Sequence, residues 1–123
     1  MKTEIQNKFN LEERTAVFGE KVIGLCKKIE NEDVNRVLVR QLVRSATSIG
    51  ANYMEANGAD SKKDFHHKIS LCKKESKETM HWLRMLVTAS PSLKDDLGVL
   101  WQEAKELSLI FGSINRKMNE NGS

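Results

Sequence analysis

An antiparallel, up-down-up-down four-helix bundle is the fold this sequence predicts, and three observations carry it. Apolar residues recur at alternating spacings of three and four in four separate blocks, the period that keeps one stripe of a helix facing a partner. The chain holds one proline and seven glycines in 123 residues, too little punctuation for a sheet of many short strands. The breaks between blocks are short, and short links between long helices make antiparallel neighbours. A single all-α domain over residues 1–123 is expected, because a chain of this length builds a core without metals or disulfides.

The first helix is expected over about 10–30, with a seam of Leu11, Phe18, Val22, Leu25 and Ile29. Asn10 and Glu13 supply a cap and a carboxylate at the third helical position, close to a capping box. The second, over about 33–56, follows the link Asn31-Glu32-Asp33 and carries Leu38, Leu42, Ser45, Ile49, Asn52 and Ala56. The third, over about 61–90, opens with the cap pair Ser61 and Asp64. Its seam is Phe65, Ile69, Cys72, Ser76, Thr79, Leu83 and Leu86. The fourth, over about 92–118, is expected to cap on Ser92 with Asp95. It carries Leu93, Leu97, Leu100, Ala104, Leu107, Phe111, Ile114 and Met118. The first few residues and the tail Asn119–Ser123 are polar and expected to fray.

The stretch RSATSIGANYMEA, residues 44–56, is rich in small residues yet sits inside the seam of helix two. Gly50 costs about 1 kcal/mol of helix propensity relative to alanine. Close approach of another helix, from this chain or another subunit, would offset that. Ser45, Ile49, Gly50 and Ala56 therefore form an expected close-packing seam.

Composition excludes several classes of protein. The opening MKTEIQNKFNLEERT has no apolar h-region, so no signal peptide is expected, and no run of about eighteen apolar residues suggests a membrane span. Cys26 and Cys72 lie in separate helical blocks and form no CxxC, which argues against a disulfide framework or zinc site and fits a reducing cytoplasm. A net charge of +3 is too small by itself to mark a nucleic-acid binder.

The charge is not evenly spread. Residues 57–90 carry seven Lys/Arg and four Asp/Glu, so the whole excess of +3 belongs to this segment. At about 100° per residue, Lys62, Lys63, His66, His67, Lys73, Lys74, Lys77, His81 and Arg84 share one arc of helix three, opposite its seam. Such a stripe suits a phosphate backbone, with counterions released on binding; a solvated helix face is the plainer reading of the same residues.

Polar residues on or beside the seams form a second group: Arg44, Asn52 and Glu55 on helix two, and Glu75, Glu78 and Thr79 on helix three. A carboxylate beside the core needs a partner, and Arg44 offers a bidentate one to Glu75. A network fixing helix register or subunit orientation is the favoured reading, ahead of an acid–base or metal site. Glu78-x-x-His81 is a lone Glu-x-x-His, whereas di-iron bundles need that motif on two helices. No metal and no cofactor are expected. Three histidines with no apposed nucleophile, and no glycine-rich phosphate loop, leave no case for an enzyme or a small-molecule substrate. Trp82, Trp101 and Phe111 lie at or beside seams and read as packing groups; Tyr53 and Met54 flank the small-residue seam and suit a contact between subunits.

Three segments together carry a family likeness. RSATSIGANYME at Arg44–Glu55, SKKDF at Ser61–Phe65 and KESKETMHWL at Lys74–Leu83 resemble the bacterial four-helix bundles encoded in intervening sequences of 23S ribosomal RNA. Helices one and four agree in length and patterning. The resemblance implies an antiparallel bundle, assembly in some members as a homopentameric ring, and no established catalytic residue. It also implies kinship with basic accessory proteins of diversity-generating retroelements, which bind nucleic acid. His81 stands where an aromatic is frequent and Tyr53 where an aliphatic is common. The expectation is a cytoplasmic, non-enzymatic homo-oligomer, pentameric by resemblance, that binds RNA or DNA through helix three. The competing class is a scaffold or protein-interaction module with no nucleic-acid role.

Overall fold

The computed structural model describes residues 10–120. Four α-helices follow in order: α1 Leu11–Cys26, α2 Asp33–Asn57, α3 Lys62–Ala89 and α4 Lys94–Glu120, the last entered through a 3₁₀ turn at Pro91–Leu93. The frayed ends expected from sequence fall mostly outside the described residues, but at Asn119 and Glu120 α4 continues as helix.

Three helix starts obey local chemistry that the residues announce. The Asn10 side chain accepts from Glu13 N–H at 3.5 Å, with Asn10 itself at φ 24°, a conformation asparagine tolerates better than most residues. Ser61 accepts from Asp64 N–H at 3.0 Å. Glu32 caps α2 by accepting from Asn35 N–H. The start of α4 departs from expectation: Ser92 is not its cap but lies inside the 3₁₀ turn, whose N-cap, Ser90, makes no side-chain cap bond. Pro91 explains the shift, since its fixed φ and missing N–H suit a first helical position. At the other end of the chain, α1 stops at Cys26 rather than near residue 30. Bonds from Lys28 N–H to the Leu25 carbonyl at 3.0 Å and from Ile29 N–H to the Cys26 carbonyl at 3.1 Å tighten the last turn. Ile29 stays buried through that turn, so the seam outlasts the helix.

Cross-helix contacts give the direction of each pair. Gly50 faces Thr15 and Gly19 faces Thr47; Thr79 meets Ser45 while Lys68 meets Glu55; Asn115 meets Ser70 while Lys73 lies over Gly112. In each pair one number rises as the other falls, so consecutive helices run antiparallel. α3 packs closely against both α2 and α4, α1 packs mainly on α2, and of the four neighbouring pairs α1 and α4 meet least. The bundle is therefore a closed run of three seams with one thin edge.

Phe18, Val22, Leu42, Ile49, Ile69, Leu83, Leu86, Leu97, Leu107 and Phe111 are fully buried at the centre. Small hydroxyl residues fill the close crossings without leaving unpaired donors. Thr15 donates to the Leu11 carbonyl at 2.7 Å, Ser76 to that of Cys72 at 2.8 Å and Ser108 to that of Lys105 at 2.7 Å. Each side chain thus bonds within its own helix, so burial costs little.

Gly50 sits at the tightest of these crossings. A Cβ built there would lie 3.3 Å from Thr15 Oγ1 and 3.7 Å from the Thr15 carbonyl carbon. The neighbour is thus α1 of the same chain. Thr15 is buried, β-branched and held by its bond to Leu11, so it yields poorly. Gly50→Ala should fail to deliver the roughly 1 kcal/mol that alanine normally adds to a helix, and Gly50→Leu should lose about 1–3 kcal/mol by overpacking. In a Thr15→Ala background, Gly50→Ala should become stabilising. Urea unfolding of the four variants reads this directly; a full alanine gain with Thr15 intact would remove the close-approach explanation.

The cysteines obey the same packing. Cys72 is fully buried beneath the Ile49 carbonyl and Cys26 is half-buried. Burial pushes the Cys72 thiol up to about 12 and that of Cys26 up to about 11. Both remain thiols near neutral pH, and the thiolate is the reactive form. Near pH 8, Cys72 should resist a thiol-specific chromogenic reagent in the native protein and react only on unfolding. The folded chain holds these protons longer than the unfolded one. Their contribution to stability is complete below about pH 8.5 and falls as pH rises through about 11 to 12. Replacing Cys72 with alanine should flatten that alkaline decline, and prompt native labelling of Cys72 would contradict its enclosure.

Candidate nucleic-acid interface

Because α2 and α4 occupy two sides of α3, only its outer arc is left for solvent. Lys62, Lys63, His67, Lys74, Lys77, His81 and Arg84 lie exposed on that arc, and His66 and Lys73 are half-buried towards α4. Among the described residues, the ion pairs of the molecule involve Arg14, Arg36, Arg44 and Lys68. None of the six Lys/Arg of the stripe takes part in one. The histidine His81 packs edge-on against Trp82, with ring centres 4.8 Å apart.

Two of the three carboxylates of α3 are turned away from this stripe. Glu75 and Glu78 face α2, where one Arg44 guanidinium serves both: NH1 lies 3.4 Å from Glu75 and NH2 pairs with Glu78. This differs from the bidentate pair expected with Glu75 alone, because the two acids stand one turn apart on the same face of α3 and the fork spans them. Gln41 accepts from Arg44 Nε at 3.1 Å, and Trp82 Nε1 donates to Glu78 at 3.0 Å. The Glu78 carboxylate is therefore occupied by two donors. Among the described residues no three His, Cys, Asp or Glu side chains are grouped to hold a metal.

The six polar residues expected to form one network divide into separate contacts. Thr79 Oγ1 lies 2.9 Å from Ser45 Oγ and 2.7 Å from the Glu75 carbonyl, a fully buried hydroxyl pair between α2 and α3. Glu55 pairs with Lys68 at 2.8 Å, and this bond holds the Lys68 ammonium above its ordinary value. Asn52 Nδ2 donates to the Ser48 carbonyl of its own helix at 2.9 Å. In the small-residue seam Ser45, Ile49 and Ala56 are buried, and Gly50 is half-buried against Thr15. Tyr53 stacks obliquely on Phe111 with ring centres 6.1 Å apart, whereas Met54 is exposed.

Two groupings escaped the sequence. Arg14 on α1 makes a bidentate pair with Glu103 on α4, at 2.7 and 2.8 Å, and reaches Glu106 at 3.3 Å. The hydrogen bonds to Glu103 raise the Arg14 guanidinium above its ordinary value. This pair spans the thin edge beside an apolar groove lined by Val17, Phe18, Val99 and Leu100. The second grouping is Arg116 on α4, whose NH1 lies near Lys73 above Gly112. Both depend on which helices become neighbours, and helical periodicity is silent on that.

The geometry is that of a four-helix bundle with a row of exposed Lys, Arg and His side chains on α3, and comparison with known proteins places it in a lineage. No curated protein matches the chain. A crystal structure of a protein of unknown function from the S23 ribosomal protein family of Bacteroides thetaiotaomicron resembles it with a TM-score of 0.77 and 31% identity, over 85% of this chain and 96% of that one. Residues 7–113 match the family described as 23S rRNA-intervening sequence protein. The chain belongs to the 23S rRNA-intervening sequence protein family.

Proposed function

We propose that this protein is a non-enzymatic, self-associating accessory protein that binds the phosphate backbone of RNA or DNA through the outer face of α3. One observation carries the reading: the Lys/Arg side chains of that face have no carboxylate partner among the described residues, while Glu75 and Glu78 on the same helix are turned to α2 and matched by Arg44. The exposed lysines are thus left free of internal carboxylate partners among the described residues and open to an external anion. The names of the family and of its solved relative, which refer to 23S rRNA and to ribosomal proteins, make structured RNA the first substrate to try. Assembly into a ring, pentameric by resemblance to other members, would repeat the face around an axis and strengthen its field.

The apolar groove at the α1–α4 edge, with Val99 70% exposed beside it, favours a second reading, in which the protein is an assembly or interaction module and the lysines only solvate it. Salt separates the two, because phosphate contacts weaken steeply with salt and apolar contacts do not. Purified protein should bind a structured ribosomal RNA fragment, and less selectively duplex DNA. With about four phosphates neutralised, affinity should fall by about 10²-fold between about 50 and 200 mM salt. Lys73→Glu/Lys74→Glu/Lys77→Glu should abolish binding while native mass and helicity stay unchanged. Absence of binding at the lower salt, or equal binding by the triple variant, would leave the interaction-module reading in its place.

A further inference from the structure

The α3–α4 seam holds a pair of cations that α3 alone does not account for. Gly112 is buried on α4, and without a side chain it leaves room for the Lys73 stem to cross it. A Cβ at Gly112 would lie 3.6 Å from both Cε and Nζ of Lys73 and 3.4 Å from NH1 of Arg116. The two cationic groups are therefore at most about 7 Å apart. Lys73 takes part in none of the ion pairs among the described residues, and two cations this close repel each other. One turn further along, Asn115 Nδ2 donates to Ser70 Oγ at 2.7 Å and Ser70 donates to the His66 carbonyl at 3.1 Å. Asn115 Oδ1 and His66 Nε2 are buried there without a hydrogen-bond partner. The floor of this end of the seam is thus polar and incompletely paired, and its rim is cationic.

We infer that Lys73 and Arg116, set over Gly112, clamp one phosphate group, and that a nucleic-acid backbone lying on α3 is held to α4 at this point. The inference rests on the nucleic-acid reading and adds to it a residue, Arg116, and a position. A phosphate between the two cations turns their repulsion into two attractions. The guanidinium fork adds direction that a second lysine would lack. A Cβ at Gly112 would make only ordinary contact with both groups, whereas a longer side chain would enter the space they share.

The test compares neighbouring charges on the same helix. Fluorescence anisotropy with a labelled ribosomal RNA hairpin is measured at about 50 and 200 mM salt for the wild type, Arg116→Gln, Arg116→Lys and Lys117→Gln. Losing one phosphate contact removes about 0.9 from the salt slope, so the affinity ratio between the two salts should shrink about 3.5-fold for Arg116→Gln. Arg116→Lys should recover only part of the affinity, and Lys117→Gln should stay within about twofold of wild type. In parallel, the Arg116 side-chain Nε–H resonance is followed while inorganic phosphate is added, and it should shift selectively. Equal effects of Arg116→Gln and Lys117→Gln, or full recovery by lysine, would overturn the clamp and leave the α3 face standing. A phosphate-induced shift in a protein that binds no RNA would keep the clamp as a site for free phosphate and sink the nucleic-acid reading. No RNA binding and no shift would sink both.

Discussion

The position of α3 between α2 and α4 is the constraint on which the rest of this molecule depends. A helix packed on two sides has to offer two apolar faces, or one wide face of small and large residues. Here Ile69, Cys72, Ser76, Thr79, Leu83 and Leu86 supply the second solution, all fully buried. The serine and threonine in that set matter because bulk would hold α2 away. Thr79 and Ser45 touch across the α2–α3 crossing, and each also has a carbonyl of its own helix within reach. Close approach is thus obtained without stranding a polar group, which would cost more than the packing returns.

With two sides covered, the charge pattern of α3 acquires a meaning that composition lacks. An excess of +3 is unremarkable for a chain of 123 residues. The structure turns Glu75 and Glu78 of α3 to α2, away from the exposed lysines of the same helix. Glu75 and Glu78 lie beside α2, where the single Arg44 bridges them, and Lys68 on that side pairs with Glu55. The bases left over face outward and towards the C-terminal half of α4, where Arg116 joins them. Local field, not total charge, sets the attraction for a polyanion, so the placement of these side chains matters more than the net +3.

What the sequence disclosed and what it withheld follow from the same distinction. Periodicity reports which face of a helix is buried, so the seam residues from Phe18 to Phe111 were readable as core, and Gly50 as a site of close approach. Periodicity does not report which helix lies next to which. Hence the expected polar cluster of Arg44, Asn52, Glu55, Glu75, Glu78 and Thr79 resolved into contacts with different partners, and the pairs Arg14–Glu103 and Lys73–Arg116 were invisible. The ends were harder still. Pro91 begins the last helical path before Ser92 because its ring presets φ, a local effect that competes with the capping preference of serine. α1 gives up its α-helical bonds at Cys26 although its apolar pattern runs on to Ile29, because the seam is set by burial and the helix by hydrogen bonds.

The thin edge between α1 and α4 completes the logic of the fold. Three of the four seams of the bundle are built from buried aliphatic and small residues; the fourth, with Phe18 and Leu100 beneath it, is spanned at its surface by an ion pair. Arg14 with Glu103 and Glu106 is about one quarter to one half exposed, and pairs of that kind contribute on the order of 1 kcal/mol or less. Beside it Val99 stands 70% exposed and Val17 lines the same groove. An edge held by salt and flanked by aliphatic side chains is weak as an intramolecular seam. It lies across the bundle from the α2–α3 crossing, since α1 and α4 close the ring opposite that pair, so a contact made there leaves much of the outer arc of α3 open. The apolar edge and the exposed lysine arc of α3 are thus set on different sides of one small bundle.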